Sequence, residues 1–386
     1  MDQQANTAAV PYTLRQLVVY FLKLGTWGFG GPVALVGYMH RDLVINKKWI
    51  SEDDYKEGLA LSQLAPGPLA AQLSIYIGYV HYHLLGATLI GLAFVLPSFL
   101  MVLAIGYAYV GYGGLSWMQA IFYGVGAAVI GIVAIGSYKL TTKSIGKDKL
   151  LWVIFLIVAI VTFATEQEIL WVILLSGVVV WFVKAPPRWL VSQAHSIAPF
   201  ILAQLQPIAT ESKLWQIAIF FTKAGAFVFG SGLAIVPFLY GGVVNEHHWL
   251  NEQQFLDAVA VAMITPGPVV ITVGFIGYLT AGFWGAVVAA LATFLPCYLF
   301  TVLPAPYFKK YGKHPAIKAF VDGVTAAAIG AIAGAVLVLG KRTLVDLPSL
   351  TIALAVIILL LKFKKLPEPV IIAAAAILGL TLKLIL

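Results

Sequence analysis

Charge is what this sequence has least of. Only 10% of its 386 residues are Asp, Glu, Lys or Arg, under half the roughly 25% of an ordinary soluble domain. Apolar residues make up 61%, the mean hydropathy is +0.95, and the apolar residues fall in long runs, not in amphipathic stripes. A bilayer span needs about 20 mostly apolar residues. A soluble enzyme is therefore excluded, and the pattern predicts an all-α polytopic membrane protein. Continuous runs such as Leu150–Ile160 exclude an outer-membrane barrel, whose strands alternate over about 10 residues. Cysteine is almost absent: Cys297 stands alone, so there is no disulfide framework and no thiolate metal site. The 7 histidines lie in or beside loops, and no His-x-x-x-His pair with an acidic partner occurs, so no metal and no cofactor is expected. Carboxylates are scarce too. Glu57, Asp257 and Asp322 lie near segment starts, and no segment centre carries one, which leaves an Asp/Glu proton relay unsupported. The net charge of +8 comes from basic residues scattered between the runs, as in cytoplasmic loops of membrane proteins; nucleic acid is not an expected partner. The polar first fourteen residues are followed by no small-residue cleavage site, so no cleaved signal peptide is expected.

What is present is one unit written twice. At a shift of 200, Phe21, Lys23, Gly25, Phe29 and Gly30 meet Phe221, Lys223, Gly225, Phe229 and Gly230, and Pro66-Gly67-Pro68 meets Pro266-Gly267-Pro268. At a shift of 199, Gly78-Tyr79 meets Gly277-Tyr278 and Leu96-Pro97 meets Leu295-Pro296. Register kept over a hundred residues marks an internal repeat. The expected domains are 1–183 and 214–386, joined by a linker at 184–213 in which Ile197–Leu205 is apolar enough for the membrane interface. Each copy holds six apolar segments, the first copy's running roughly 16–39, 57–80, 84–109, 117–138, 150–164 and 168–183. Loops 40–56 and 138–149 are both Lys-rich and should both be cytoplasmic. Three segments separate them, so one must double back, and the one holding Pro66-Gly67-Pro68 is the candidate. Five crossings per copy, about ten in all, would turn the second copy upside down. Consistent with inversion, loop 243–254 has no Lys or Arg, whereas loop 305–318 has Lys309, Lys310, Lys313 and Lys318. Lys341-Arg342 falls on the wrong side of this count.

The candidate chemistry sits at the breaks. Each copy opens with a glycine-broken helix, through Phe29, Gly30, Gly31 and Pro32 or through Gly230, Ser231 and Gly232. The second break, Pro66, Gly67 and Pro68 or Pro266, Gly267 and Pro268, follows about forty residues later. Proline removes a donor and glycine admits φ > 0, so both stop a helix. Freed backbone groups cannot face lipid and must be buried or line a cavity. Helix N-termini exposed there attract anions, and transporters built on inverted repeats use such ends at the midplane. Gly and Pro also kink or pack membrane helices with no further role, but two kinds of break, each present twice at matched spacing, favour a site. Lys23 and Lys223, six or seven residues before their breaks, are costly cations at that depth unless they snorkel; their recurrence points to attraction of an anion. Gln72, four residues past Pro68, is a candidate direct ligand, and Ser231 a small hydroxyl donor.

At these residues the sequence resembles the chromate ion transporter family in its fused two-domain form. The likeness runs through Phe29-Gly30-Gly31-Pro32, Gly37-Tyr38, Arg41, Trp49, Pro66-Gly67-Pro68 and Gln72, then Val228-Phe229-Gly230, Leu233 to Pro237, Trp249 and Pro266-Gly267-Pro268. It covers about residues 12–386 and adds Arg41 to the candidate substrate-binding residues. The resemblance implies a multi-pass protein of the cell (inner) membrane that exports chromate, conferring chromate resistance, with sulfate as the look-alike dianion. Two departures stand out: Leu35 replaces a histidine often found in the first motif, and Leu69, Ala70 and Ala71 replace small hydroxyl residues. Alternative readings are a sulfate or other small-anion transporter and, in a different class, a lipid scramblase or membrane assembly factor. Chromate, sulfate and the lipid bilayer are the partners to test, and a homodimer is an open assembly.

Overall fold

The computed structural model describes residues 12–29, 31–112, 116–165, 170–186, 212–227, 229–230, 235–311, 314–363 and 368–385. Most of the expected linker, including Ile197–Leu205, lies outside the described residues, as do Gly30, Ser231 and Gly232.

The described chain opens with two broken hairpins. Helix α1 (Leu14–Trp27) starts from a capping box in which Thr13 and Gln16 satisfy each other's backbone, and it buries Leu17, Phe21, Leu24 and Gly25 along one face. Past Gly28 the chain resumes as α2 (Gly31–Met39), which runs into a π-helical stretch, His40–Asn46. This segment turns back: the Tyr20 hydroxyl donates to Asp42 at 3.4 Å, and Tyr12 stacks on Trp49 at 5.0 Å. Helix α3 (Glu52–Leu64), capped by Ser51, enters beside α2, where the Tyr55 hydroxyl donates to the Val36 carbonyl at 2.7 Å. After the two-residue strand β1 (Gly67–Pro68), α4 (Leu69–Tyr112) folds on itself at His83, whose φ of 47° is left-handed. Its short arm, 69–82, returns along α3 and ends where α1 began, with the Tyr82 hydroxyl on the Tyr12 carbonyl at 2.6 Å. Residues 12, 49 and 82 thus share one face. The Pro-Gly-Pro segment doubles back as its sequence predicts. The first segment, which the sequence leaves as a crossing, does the same, because its glycine break frees the backbone just as well, so at most four described helices of each copy remain to cross, not five.

The long arm, 84–112, spans about 43 Å at 1.5 Å per residue, more than a hydrocarbon core of about 30 Å. Gly78 and Gly86 let the two arms meet backbone to backbone.

The second copy repeats this plan with α8 (Lys213–Phe227), β2 (Phe229–Gly230), α9 (Ile235–Tyr240) with its π-helical stretch Gly241–Glu246, α10 (Glu252–Ile264), a 3₁₀ turn (Val269–Ile271) and α11 (Thr272–Val302). Even unusual backbone recurs. Lys48 (φ 53°) answers to His248 (φ 50°), and His83 to Gly282 (φ 63°). The copies are inverted. Near the far end of the long arm, Gly106 lies against Tyr278 and the Tyr109 hydroxyl donates to Asp257 at 2.7 Å, both on the hairpins of the second copy. Near its start, Thr88 hydrogen-bonds Tyr298, far along α11, at 2.8 Å. The hairpins of the two copies therefore open at opposite faces.

The remaining helices are exchanged between copies. Helix α5 (Ser116–Ser144) packs on α14 (Leu347–Lys362) and α15 (Glu368–Ile385), with Gly124 against Ala375 and Gly379, and Gly131 against Ala353. Helix α13 (Pro315–Thr343), reached through α12 (Ala305–Tyr311), packs on α6 (Lys149–Thr165) and α7 (Leu170–Lys184), with Gly330 against Phe155 and Gly334 against Ala159. Small residues at such contacts permit the close approach that membrane helices need. Stretches 69–112, 117–139, 269–308 and 315–343 are long and apolar enough to cross a membrane. Exposed Leu, Val and Phe side chains ring the outside, as lipid contact demands.

Candidate functional site

The four breaks meet. Gly67 and Pro68 pair in parallel with Phe229 and Gly230, and the Gly267 N–H donates to the Gly28 carbonyl at 3.0 Å. The second break of each copy thus binds the first break of the other. Ser98 packs against Gly267 and lies midway along the long arm of α4, about 21 Å from either end by helical rise. The crossing is therefore at the midplane.

Local chemistry explains the arrangement. Prolines at 66, 68, 266 and 268 offer no N–H, which ends α3 and α10 without leaving a buried orphan donor at those positions. Gly67 (φ 143°) and Gly267 (φ 93°) take conformations that L side chains rarely adopt. A Cβ on Gly67 would also come 2.6 Å from Gln72 Nε2, and one on Gly267 2.8 Å from Ser98 Oγ. The N-termini of α2, α4 and the 3₁₀ turn before α11 converge here, opposed by the C-termini of α1, α3, α8 and α10. First-turn amides have no acceptor within their own helix, and the 3₁₀ turn has no side-chain cap. Ser98 is tied to the Val95 carbonyl (2.9 Å), and Thr265 to the Val261 carbonyl (3.0 Å). Gln72 is fully buried. Its Nε2 donates to the Pro66 carbonyl at 2.7 Å, while its Oε1 has no donor among the described residues. An unsatisfied buried acceptor costs about 1–3 kcal/mol. Among the described residues, no hydrogen bond or ion pair at the breaks involves a charged side chain. The crossing is neutral and rich in backbone groups.

Of the residues singled out from the sequence, Pro66, Gly67, Pro68, Gln72, Pro266, Gly267 and Pro268 are brought together, with Phe29 and the backbone of Gly230 beside them. Gly31 and Pro32 start α2 at the same point. Lys23 and Lys223 lie on the exposed sides of α1 and α8, opposite the buried faces Leu17–Phe21–Leu24 and Ile217–Phe221–Ala224. They are about one and a half turns from the crossing and not in contact with it. Arg41 is exposed near the first face, bonded to Asp42 at 2.9 Å and lying 5.2 Å over the Tyr38 ring. Ser98 was not singled out, although its place just after the repeated Leu-Pro pair was a usable signal. Asp257 is 3% exposed; it joins the copies by accepting from Tyr109 and accepts from Gln253, one turn back on its own helix, at 2.9 Å. From the sequence it reads as the edge of a segment; the hairpin fold buries it.

Loop charge divides by face. Lys47, Lys48, Lys56, Lys147, Lys149 and Lys184 share the face at which the first copy's hairpins open. There the Lys184 ammonium bonds to Asp148 and holds that carboxyl below the usual range. The discordant pair Lys341-Arg342 has an explanation: Arg342 pairs with Glu252 and lies 5.5 Å over the Tyr240 ring, which offsets its charge.

A family model described as "Chromate transporter" matches residues 15–181 and again 215–380. The chain is 70% identical over 376 residues to the "Chromate transport protein" of Cupriavidus metallidurans, covering 96% of this chain and 94% of that protein. It is 65% identical to the "Probable chromate transport protein" of Synechococcus elongatus, covering 95% of each. It is 30% identical to the "Chromate transport protein" of Pseudomonas aeruginosa, covering 97% of this chain and 94% of that protein. No solved structure matches.

Proposed function

Because the chain belongs to the chromate transporter family, a family of transport proteins and not of enzymes, we propose that it exports chromate from the cytoplasm and holds the oxyanion where the four helix breaks cross. The observation that carries this reading is the reciprocal pairing of the breaks, Gly67–Pro68 with Phe229–Gly230 and Gly267 with Gly28. It gathers helix N-termini at mid-membrane, where desolvated amides and dipole ends favour an anion. Residues 1–183 and 214–386 act as the two inverted halves around this point. Hairpins entering from opposite faces give a ready route to alternating access, since loosening one pair of breaks opens the crossing to one side.

Lys23 and Lys223 contribute field, not contact, from about 9 Å along their helices. The Lys-rich face of the first copy is cytoplasmic by the positive-inside rule, in the inner membrane of the cell, and it concentrates anions where export begins. With the cell interior negative, each elementary charge gains about 2.3 kcal/mol per 100 mV on leaving, so the membrane potential drives export. Uptake into everted membrane vesicles, comparing chromate, sulfate and molybdate, tests the reading. Accumulation of chromate above the other two supports it, whereas equal exclusion of all three from vesicles holding the protein removes it.

A further inference from the structure

Gln72 carries an amide whose two ends are not interchangeable. Its Nε2 donates to the Pro66 carbonyl at 2.7 Å. A carbonyl has no hydrogen to give, so turning the amide over would set two oxygens against each other. Oε1 is therefore the free end, and it is buried with no donor among the described residues. The Gln72 side chain lies in the first turn of α4, whose amides lack acceptors within the helix, and its amide packs against the break at Gly67.

An anion seated at that N-terminus presents oxygens to the amides. Beside Oε1, however, an oxygen without a hydrogen is repelled. An oxyanion that keeps one hydrogen satisfies both partners, its bare oxygens meeting the amides and its O–H meeting Oε1. Chromate takes up its first proton close to neutral pH; sulfate, of the same tetrahedral shape, is fully ionised there. We propose that the crossing binds the hydrogenchromate monoanion, with its O–H donating to Gln72 Oε1, and that this bond discriminates against sulfate. The proposal rests on the reading of the crossing as the oxyanion site.

The titratable groups on the flanking helices are Tyr76, one turn further along α4, and Glu57 of α3, which interact with each other. Ser98, Thr265 and Thr272, from the other elements at the crossing, are neutral. A pH response could therefore arise from Glu57 as well as from the ligand, and Glu57→Gln separates the two.

The test is equilibrium dialysis of radiolabelled chromate against the purified full chain between pH 6 and pH 8, with and without sulfate. Since only the protonated fraction competes for the site, apparent affinity for total chromate should weaken about tenfold per pH unit once the monoanion is in the minority. Sulfate at equal concentration should displace little of it. Glu57→Gln should keep the slope, and Gln72→Met should bind more weakly with a flat profile. If Gln72→Met does not fold, the wild-type slope and the sulfate competition decide alone. A flat wild-type profile, a slope lost in Glu57→Gln, or sulfate competing on equal terms overturns the proposal while leaving the crossing as an oxyanion site. Absence of chromate binding at every pH overturns the underlying reading and this proposal together.

Discussion

Gly25→Ala puts one methyl group where the fold has no room. Its Cβ would stand 2.4 Å from the Phe94 carbonyl oxygen on the long arm of α4, against an ordinary contact of 3.4–4 Å. Helix α1 must therefore retreat by about 1 Å, and overpacking of this kind costs about 1–3 kcal/mol. Alanine's better helix propensity returns at most about 1 kcal/mol, so the clash prevails. The functional consequence is larger than the stability change. Gly28, three residues on, accepts the Gly267 N–H at 3.0 Å, and a shift of about 1 Å takes that pair beyond hydrogen-bond range. The expected result is a lower melting temperature in detergent and loss of most chromate transport in vesicles. Gly37→Ala is the control, because nothing lies within 4 Å of its Cβ position; it should match wild type in both. The equivalent Gly225→Ala, with its Cβ 2.1 Å from the Thr293 carbonyl oxygen, should behave as Gly25→Ala does. Wild-type melting and transport in both Ala variants would refute the idea that α1 and α8 set the position of the breaks.

Other predictions address topology, field and surface charge. Cysteines at Lys48 and His248 should react with an impermeant thiol reagent from opposite sides of the membrane, against a native background of buried Cys297; labelling from one side contradicts the inversion. Lys23→Ala should abolish transport with expression intact, while Lys23→Arg keeps part of it; unchanged rates in both Lys23→Ala and Lys223→Ala would remove the lysines from the mechanism. Asp257→Ala strands the Tyr109 hydroxyl at the contact between the copies, so it should destabilise the protein by about 1–3 kcal/mol in thermal unfolding; an unchanged melting curve argues against that contact. Asp148→Asn removes a carboxylate whose ionised form Lys184 favours. A depressed pKa stabilises the fold above the unfolded-state value and loses that effect as pH falls through the folded-state value. The variant should therefore melt slightly below wild type at neutral pH and alongside it in strong acid; a gap that widens in acid contradicts the sign.

The repeat, the inversion and the breaks were legible because each rests on local residue chemistry. Proline and glycine mark a helix end wherever they fall, and lysine-poor against lysine-rich loops report sidedness directly. Two things were not legible. The doubling back of the first segment depends on where α2 finds a partner, and the Tyr55–Val36 bond that fixes it joins residues 19 apart. The exchange of α5 with α13 between copies depends on glycine contacts such as Gly124 with Gly379, more than two hundred residues apart. At the candidate site the motif residues come together, whereas the two lysines do not touch them. Lys23 and Lys223 recur at matched positions, yet they face outward, because the buried stripe of each helix is set by the neighbouring Phe, Leu and Ala.

The central claim, that this chain carries an oxyanion outward along the membrane potential, is tested most directly in proteoliposomes loaded with chromate. Potassium gradients with valinomycin set the voltage at equal pH on both sides. One transported charge is worth about 2.3 kcal/mol per 100 mV, and two are worth about 4.6. Efflux should therefore rise steeply as the loaded side is made negative, and the limiting gradient should report the number of charges moved. Chromate efflux that ignores the imposed voltage and follows only a pH step would contradict the account.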